Sequence, residues 1–343
     1  MKSTKLPLWI ERVLGLDPQP PPPHVFALDL PAEGEEPLVE TVEGDGSASH
    51  GVLRYGSFHR GSKGFVYAAG FDEPLPAGIF GQGPLGAPMR NPKLFAEHVQ
   101  QIVERAEGPI KEASLVLPDH WLRLTFTEIS ELPRRSRDIQ DVLRFKLNRL
   151  VPFRVEDLRI SASEVTPFPN QEEPRRLLLG FGVEVLMAQF EEAFAAVGVE
   201  IGRITNTSLA LAASLEHNLG AQDLAALVTV QPGAFSVAYF QADEPLLYRY
   251  KAMPATVDPS SSIRRDLRLT SGFIGQHFPE RQLSQLYLAA PPEVEDTWLS
   301  WLGDEFDVVP EPLSFQHFQI SRTQVGPSWI ETAPLLGAAT LEV

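Results

Sequence analysis

IQDVLRFKLNRLVPFRVEDLRISASEV (residues 139–165) is the stretch of this sequence that says most about its fold. Its first half predicts an amphipathic helix, because apolar side chains recur at steps of three and four residues: Ile139, Val142, Leu143, Leu147 and Leu150. Pro152 lacks a backbone donor and disfavours helical angles at Val151, so the helix should end near Leu150. Residues 158–165 alternate apolar and polar side chains, which predicts a half-buried strand. The stretch therefore predicts a helix, a Val-Pro-Phe hinge, an acidic step and a strand.

Length and composition exclude several classes of protein. A chain of 343 residues allows one large or two moderate domains with a full-sized core. The absence of cysteine excludes disulfides and cysteine-based zinc or iron–sulfur sites, and it suits a reducing compartment. A formal net charge of -16 argues against a general nucleic-acid binder, which needs a basic surface. No apolar run approaches the roughly 20 residues of a membrane span, and no signal peptide is recognisable. We therefore expect a cytoplasmic protein.

The first 23 residues combine an apolar segment with a proline-rich one. Residues 6–16 read LPLWIERVLGL and cluster large side chains, among them Trp9, Ile10 and Val13. Two interpretations are open: a helix that contacts a membrane surface or a partner, or a terminal helix that packs on its own domain. Residues 17–23 read DPQPPPP, a stiff polyproline spacer. We assign residues 1–23 to an N-terminal amphipathic helix and a Pro-rich linker.

The remaining pattern consists of two strand meanders, each followed by helices. The predicted strands span residues 24–30, 51–55, 64–69, 113–117, 121–128, 175–185, 201–204, 224–230, 235–241, 246–250 and 285–289. Between the third and fourth of them, residues 71–88 form a Pro/Gly-rich connection. The predicted helices span residues 92–106, 187–197, 208–219, 263–278, 295–305 and 329–341. The last helix contains Ala333, Gly337, Ala338 and Ala339, and such small residues suit close packing against a sheet.

The order of helix, Val-Pro-Phe, Glu-Asp-Leu and strand in residues 139–165 resembles the corresponding block of the type IV pilus assembly protein PilM family. A looser form of the same block occurs in the cytoplasmic domain of the type II secretion protein GspL. Four more segments resemble PilM blocks: EPLPAGIFGQG (73–83), LVLPDHWLRL (115–124), LLLGFGVEVLMAQFEEAFAAVGVEI (177–201) and PLLGAATLEV (334–343). The resemblance therefore spans nearly the whole chain.

The resemblance implies an α/β fold: a duplicated actin-like (ribonuclease H-like) two-domain fold with a small inserted α+β subdomain. Residues 24–118 would form the first actin-like domain, joined by the C-terminal helix at 329–343. Residues 119–200 would form the inserted subdomain and its return. Residues 201–328 would form the second actin-like domain.

The resemblance also indicates where an actin-like nucleotide site would lie. Such a site uses two β-hairpins, in which an Asp holds a metal-bound water and glycines let backbone N–H groups approach phosphate. The first hairpin reads D-x-G-[ST] in the family. Here Asp29 is followed by Leu-Pro-Ala, and the proline removes a donor. The second hairpin usually reads V-D-I-G, whereas this chain has Thr229 at the acidic position, Gln231 at the first glycine, and then Gly233. A late Gly-Gly pair is replaced by Ala-Ala-Pro-Pro at residues 289–292.

We therefore interpret the nucleotide site as degenerate and expect neither an enzyme nor a cofactor. Asp29, Thr229 and Gly233 are its weak remaining candidates, and a lone Asp such as Asp29 is more often a solvated residue at a strand end than a metal ligand. The alternative is ATP with Mg²⁺, which would require Asp29 to act with an unconventional second acid. The eight histidines show no local zinc spacing, and neither a Walker A loop nor a G-x-S-x-G elbow occurs. We predict no catalytic residue and no metal ligand.

A basic helix stands out against the acidic background, with Arg134, Arg135, Arg137, Arg144, Lys146, Arg149 and Arg154. It is either an ordinary solvated face or a contact surface for an acidic partner or anionic lipid headgroups. In PilM-like proteins a groove beside the inserted subdomain binds the N-terminal cytoplasmic tail of the bitopic protein PilN. By this resemblance, Leu150, Pro152 and Phe153 would line or shape the groove, with Arg144 and Arg149 beside it. The alternative for the three apolar residues is the core of the subdomain.

These observations support three hypotheses for function. The first is a cytoplasmic scaffold of a type IV pilus or related secretion platform, peripheral to the inner membrane. Its partners would be a PilN-like tail and further pilus motor or platform proteins. The second is an ATP-binding switch of the same machinery. The third is a membrane-surface adaptor held by the N-terminal helix and the basic patch.

Overall fold

The computed structural model describes residues 24–30, 49–61, 64–81, 89–106, 108–130, 133, 136–151, 154–165, 174–215, 223–241, 244–253, 259–314, 317 and 329–340. Its strands are β1 (His24–Asp29), β2 (Ser49–Gly61), β3 (Gly64–Pro76), β4 (Glu112–Leu117), β5 (Leu122–Ile129), β6 (Leu158–Val165), β7 (Arg175–Val183), β8 (Glu200–Asn206), β9 (Asp223–Gln231), β10 (Ala234–Gln241), β11 (Glu244–Ala252), β12 (Gln282–Ala289) and β13 (Pro310–Pro312). Its helices are α1 (Pro92–Arg105), α2 (Ser136–Leu147), α3 (Glu184–Ala195), α4 (Thr207–Ser214), α5 (Ser260–His277), α6 (Pro292–Glu305) and α7 (Trp329–Thr340).

Two of the sheets share one construction. The first has the strand order β3-β2-β1-β4-β8, and the second has the order β11-β10-β9-β12-β13. In each sheet an antiparallel meander of three strands is extended by parallel strands, since β4 pairs with β1 and β12 pairs with β9. The two similar halves that the order of predicted elements implied are present, and the predicted α/β class is confirmed.

A third sheet is antiparallel and has the strand order β5-β7-β6. In the sequence, its strands come after β4 of the first sheet and before helix α3. Helix α2 covers it with the apolar stripe that the sequence predicted, and Leu143 and Leu147 are fully buried there. The stripe packs on Leu158, Ile160 and Phe181 of the sheet. Burial of this stripe accounts for a compact α+β unit inserted into the first half.

Helices α4 and α7 lie between the two large sheets and join them in one apolar layer. That layer contains Val25, Ala27, Val116, Ala210, Leu211, Ala212, Leu227, Ala238, Tyr287, Leu335, Leu336, Ala338 and Ala339. Helices α1 and α3 cover the outer face of the first sheet, and α5 and α6 cover the outer face of the second. The two halves therefore pack on shared apolar surface as well as on their own cores.

The small residues of the C-terminal helix serve a helix contact in addition to the predicted sheet contact. A Cβ atom added at Gly337 would lie 1.6 Å from the backbone oxygen of Ala210 on α4. Helices α4 and α7 therefore cross with their backbones in contact at this point. The predicted packing against a sheet is present, and the closest approach is to a neighbouring helix, which only a residue without a side chain permits.

The first hairpin is longer than the sequence indicated. We expected strands at 51–55 and 64–69 followed by a connection, whereas β2 and β3 each span thirteen residues and pair from Ser49↔Pro76 to Gly61↔Gly64. Pro74 and Pro76 suggested a loop, because proline cannot donate to a ladder. They are tolerated here because β3 is an edge strand, where alternate N–H positions face away from the sheet.

The helix and strand of residues 139–165 are present, with one correction. The predicted strand is β6, over Leu158–Val165. Helix α2 ends at Leu147 instead of Leu150, because Leu150 and Val151 both donate to the carbonyl of Leu147 and close a turn. Apolar residues at helical spacing continue to Leu150, beyond the last helical turn, so the sequence pattern overestimated the length of the helix by three residues.

Strand β8 follows the inserted subdomain and lies in the first sheet, where it pairs in parallel with β4 from Glu112↔Glu200 to Leu117↔Asn206. Residues 201–206, which we grouped with the second half, are thus part of the first sheet. Asn206 ends the strand and caps α4, since its side chain accepts a hydrogen bond of 2.8 Å from the backbone N–H of Leu209. The chain passes from the first half to the second through α4.

Among the described helices, none is both long enough and apolar enough to cross a bilayer.

Candidate functional site

The end of strand β1 carries Asp29, the predicted remnant of a metal site, and an arginine faces it. The Nη2 atom of Arg54 lies 3.4 Å from Oδ2 of Asp29, and its Nη1 atom lies 2.5 Å from Oδ2 of Asp72. In the sheet, Asp72 is directly opposite Arg54, and Asp29 is a diagonal neighbour on the other side. Arg54 is 8% exposed, whereas the Asp29 carboxylate is 54% exposed.

This pairing changes what Asp29 can do chemically. A guanidinium stays protonated at any physiological pH, so Arg54 places a fixed positive charge against the carboxylate. A magnesium ion bound through water at Asp29 would compete with that charge. The contact therefore favours a structural role for Asp29 over a metal-binding one.

The second hairpin of the predicted site is the turn between β9 and β10. Gly233 has a φ of +67°, and it follows Pro232 in a turn that joins the paired residues Gln231 and Ala234. The Pro-Gly order suits such a turn, so the geometry of the hairpin is sufficient to explain Gly233. Thr229 is 3% exposed, and its hydroxyl has no hydrogen-bond partner among the described residues.

The third element of the predicted site is the start of helix α6. Pro291 stands at the N-cap and Pro292 is the first helical residue. Neither has a backbone N–H, so two of the donors that a helix start offers to a phosphate are missing. The preceding Ala290 is buried. The start of α6 thus lacks two of the backbone N–H groups that a phosphate-binding helix start would offer.

A buried polar cluster lies nearby, where the chain leaves β4 for the inserted sheet. Asp119 is 1% exposed. Its Oδ1 accepts a hydrogen bond of 3.0 Å from the backbone N–H of Ser208, and its Oδ2 accepts from the hydroxyls of Ser208 and Tyr248, the latter at 2.9 Å. The Ser236 hydroxyl lies 2.5 Å from that of Ser208. The backbone N–H of Asp119 donates to Oε1 of Gln231 at 3.1 Å.

The environment shifts the acidities of this cluster. Burial raises the pKa of the Asp119 carboxyl, and the hydrogen bonds from Ser208 and Tyr248 partly offset that rise. Burial, followed by the negative charge of Asp119, raises the pKa of the Tyr248 hydroxyl well above its usual range. Tyr248 therefore remains a proton donor to the carboxylate throughout the physiological pH range.

The space beside this cluster is small. A cavity of about 10 Å³ is lined by Leu124, Leu178, Ser208, Leu209, Ala212, Ala238, Phe240, Pro245, Leu247 and Tyr248. That volume corresponds to about one water molecule. The cluster is thus closed by protein atoms and packed among apolar side chains.

Metal-binding and histidine chemistry find little support in the described part of the chain. There, His, Asp and Glu residues do not gather in groups of three or more that could hold a metal ion. His120 follows Asp119, and burial, with a contribution from Arg123, lowers the pKa of its imidazole to about 4. The ring is therefore neutral at pH 7.

The inserted subdomain presents an exposed apolar face at the end of α2. Phe145 is 62% exposed and Leu150 is 56% exposed. The guanidinium of Arg149 lies 5.5 Å from the centre of the Phe145 ring, a cation–π contact at the surface. Arg144 is partly buried and lies 3.9 Å from Asp141 on the same helix. We call these three exposed residues at the C-terminal end of α2 and just beyond it (Phe145, Arg149 and Leu150) the α2 face.

The remaining predicted contact residues lie outside the described residues. They are Pro152 and Phe153 at the hinge, and Trp9, Ile10 and Val13 in the N-terminal segment. Of the predicted groove residues, the structure thus describes Leu150, Arg144 and Arg149, and it brings Leu150 and Arg149 to the same end of α2.

An ion-pair system and a hydrogen bond to a backbone carbonyl attach the inserted subdomain to the rest of the molecule. Arg159 on β6 forms bidentate contacts with Glu184 at 2.6 and 3.0 Å and also binds Glu191, both on α3. Hydrogen bonding to Arg159 lowers the pKa of Glu184. Arg176 on β7 donates to the backbone carbonyl of Leu246 on β11. The subdomain is therefore held on two sides, by the first half and by the second.

Sequence reasoning missed Arg54, Asp119 and Phe145. Arg54 lies in a strand without any motif, and its pairing with Asp29 depends on strand register. Asp119 follows the predicted strand 113–117, where a Pro-Asp turn was the simpler interpretation. Phe145 did give a signal, because an aromatic residue off the apolar stripe of an amphipathic helix faces solvent or a partner.

Neither a protein-family model nor a curated protein sequence matches the chain. Solved structures do match. The match to a structure described as the PilM–PilN type IV pilus biogenesis complex covers 93% of this chain and 99% of that chain, with a TM-score of 0.64 and 15% identity. The match to the cytoplasmic domain of EpsL, an inner membrane component of the type II secretion system of Vibrio cholerae, covers 92% and 94%, with a TM-score of 0.45 and 12% identity. A Bacteroides thetaiotaomicron protein with an actin-like ATPase fold and unknown function matches over 84% and 91%, with a TM-score of 0.45 and 10% identity.

The first match establishes the fold. The match covers 93% of this chain and 99% of that chain, so the similarity in fold spans nearly the whole length of both. The chain therefore has the actin-like α/β fold that its resemblance to PilM implied, and the resemblance in fold is confirmed.

Proposed function

We propose that this chain is a non-enzymatic scaffold of a type IV pilus or related secretion platform, and that it holds the cytoplasmic tail of a PilN-like membrane protein. The observation that carries the proposal is the similarity in fold, over nearly the full length of both chains, to a protein solved in the PilM–PilN complex. The inserted subdomain and its exposed α2 face supply a surface on which such a tail can dock. The protein would act in the cytoplasm, peripheral to the inner membrane.

The chemistry at the three elements of the predicted nucleotide site supports a scaffold rather than an ATPase. Arg54 pairs with Asp29, Gln231 contacts the backbone of Asp119, and two prolines begin α6. Each of these features weakens one of the three elements that an actin-like nucleotide site would use. Catalysis of phosphoryl transfer needs those groups together, because it relies on positioning and on neutralising the phosphate charge.

We expect no saturable heat when the purified protein is titrated with ATP and Mg²⁺ in a calorimeter, because Arg54 already neutralises Asp29. ADP and GTP titrations should give the same result. Saturable ATP binding that is lost in Asp29→Ala would contradict this expectation and support the alternative of a nucleotide switch. An Arg54→Met variant tests the cause, since removal of the guanidinium should make the two carboxylates available to Mg²⁺.

The α2 face is suited to an extended peptide with apolar side chains. Phe145 and Leu150 each expose more than half of their surface, and Arg149 adds a positive charge at the same end of the helix. Exposed aromatic and arginine side chains are enriched in the energetically dominant part of protein interfaces. Adjacent apolar pockets would supply specificity, while main-chain hydrogen bonds would supply affinity.

We expect the double variant Phe145→Ala/Leu150→Ala to bind the PilN-like tail at least about tenfold more weakly, because two apolar anchors are truncated. Fluorescence anisotropy with a labelled synthetic peptide, the N-terminal cytoplasmic tail of a PilN-like protein, measures the change. The matched control is Val185→Ala, which removes an apolar side chain that is 58% exposed on α3. Equal affinity in all three proteins would show that the tail docks elsewhere.

Binding to liposomes of anionic phospholipid distinguishes the third hypothesis. A membrane-surface adaptor would sediment with such vesicles at low salt and dissociate as salt rises. A scaffold that depends on a peptide would bind the vesicles only when they carry the tail. The same double variant can be used in both assays, so the two functions give different results.

A further inference from the structure

The groups around Asp119 come from parts of the molecule that are otherwise separate. Asp119 follows β4 of the first sheet, and Ser208 lies in the first turn of α4. Ser236 and Tyr248 lie on β10 and β11 of the second sheet, and Gln231 ends β9 beside them. These five residues, which we call the Asp119 cluster, therefore connect the first sheet, the helix between the sheets and the second sheet.

The bonding within the cluster is internally consistent. Three hydrogens point at the carboxylate of Asp119: two from Ser208 and one from Tyr248. Because the Ser208 hydroxyl is thereby used as a donor, the hydroxyl of Ser236 is left to donate to it. Each of these side chains is at least nine-tenths buried, apart from that of Gln231. Separation of the two sheets would leave several of these groups unpaired, and unpaired buried polar groups are costly.

The inserted subdomain adds contacts to the same edge of the second sheet. Arg176 donates to the carbonyl of Leu246 on β11, and its guanidinium lies 4.2 Å from the centre of the Phe126 ring. Arg123 on β5 lies 4.9 Å from the centre of the Tyr250 ring on β11. Strand β11 therefore contacts Asp119, which follows β4 of the first sheet, and it also contacts Arg123 and Arg176 of the inserted subdomain.

We propose that the Asp119 cluster is a built-in latch that holds the two halves in one closed arrangement without a nucleotide. In this arrangement protein side chains from both halves bond directly to each other, so no ligand is needed as a bridge between them. The consequence is a single fixed relative orientation of the two sheets and the inserted subdomain. The inference goes beyond the proposed function, because it concerns how the halves are joined and stands whether or not a tail docks on the α2 face.

Pulsed electron spin resonance can test the latch, because the chain has no cysteine. Spin labels would be attached to cysteines introduced at Glu97 on α1 and Leu269 on α5, which are both exposed and lie on the outer layers of opposite halves. The labelled parent protein should give one narrow distance distribution, unchanged by ATP and Mg²⁺. The variants Tyr248→Phe and Asp119→Asn should shift that distribution toward longer and broader distances.

The two variants act differently. Tyr248→Phe removes one donor with little change in volume, and Asp119→Asn turns an acceptor into an amide NH₂ that meets the donors of Ser208 and Tyr248. Tyr239→Phe is the matched control, because that tyrosine is fully buried on β10 but belongs to the core on the outer face of the same sheet. Its distribution should equal that of the parent.

Two results would overturn the latch. The first is a parent distribution that is broad, or that narrows or shifts when ATP and Mg²⁺ are added. The second is a pair of variants, both folded by circular dichroism, that retain the parent distribution. The parent measurement remains decisive if either variant fails to fold, and none of these outcomes depends on whether the tail binds.

Discussion

Gly337→Ala should destabilise the protein by about 3 kcal/mol or more, because the added carbon has no space. The new Cβ atom would lie 1.6 Å from the backbone oxygen of Ala210, against the roughly 3.5 Å of an ordinary contact. Backbone atoms cannot rotate away as the end of a side chain can, so α4 and α7 would have to separate. That movement would loosen the apolar layer between the two large sheets.

The measurement is the free energy of unfolding from urea titration, followed by tryptophan fluorescence and circular dichroism. Gly272→Ala on α5 is the matched control, since a Cβ atom there would meet nothing within 4 Å. In an exposed helix interior this change should stabilise the protein by about 0.5–1 kcal/mol. If Gly337→Ala behaved like Gly272→Ala, the helices would not cross at Ala210 as described.

Phe190→Ala should cost about 3–5 kcal/mol, because it empties the centre of an aromatic core. Phe190 is 0% exposed, and its ring centre lies 5.4 Å from that of Phe95, 5.8 Å from that of Trp121 and 6.1 Å from that of Phe80. These rings come from α1, from the residue before β5 and from the connection after β3. Truncation would therefore leave a cavity whose walls belong to separate elements and cannot collapse together.

Phe145→Ala makes the same chemical change on a helix surface, where the ring is 62% exposed. It should alter the free energy of unfolding by less than about 0.5 kcal/mol. A large difference between the two variants is expected in the same urea titration. Similar losses in both would contradict the burial assigned to Phe190.

Local pattern was sufficient for most of the secondary structure. Asn91 and Pro92 marked the start of α1, and the side chain of Asn91 does accept a hydrogen bond of 3.1 Å from the backbone N–H of Leu94. The alternation in residues 158–165 placed β6 within its observed bounds. Such signals are readable because capping and amphipathic periodicity act over a few residues. Pro74 and Pro76 misled for the opposite reason, since their tolerance depends on β3 being at a sheet edge.

The candidate site was less predictable. The motif departures near Asp29, Thr229 and Gly233 could be read directly, because they are substitutions at adjacent positions in the chain. The ion pair between Asp29 and Arg54 could not be predicted from the sequence, because the two residues meet only through the pairing of β1 with β2. The sequence named Leu150 and Arg149 as candidate contact residues, and that role stays a prediction. Phe145 was missed, although its ring is 62% exposed on α2.

The sequence by itself determined most of the elements and their order, because these follow from hydrophobic periodicity, caps and turn residues within a short window. The inserted subdomain was implied by the resemblance to PilM. The tertiary structure alone decided which distant groups meet. Asp119 reaches residues as far along the chain as Tyr248, and Gly337 meets Ala210. Those contacts arise when two sheets close on a shared pair of helices, and the burial and hydrogen bonding that select them act between residues that no local pattern connects.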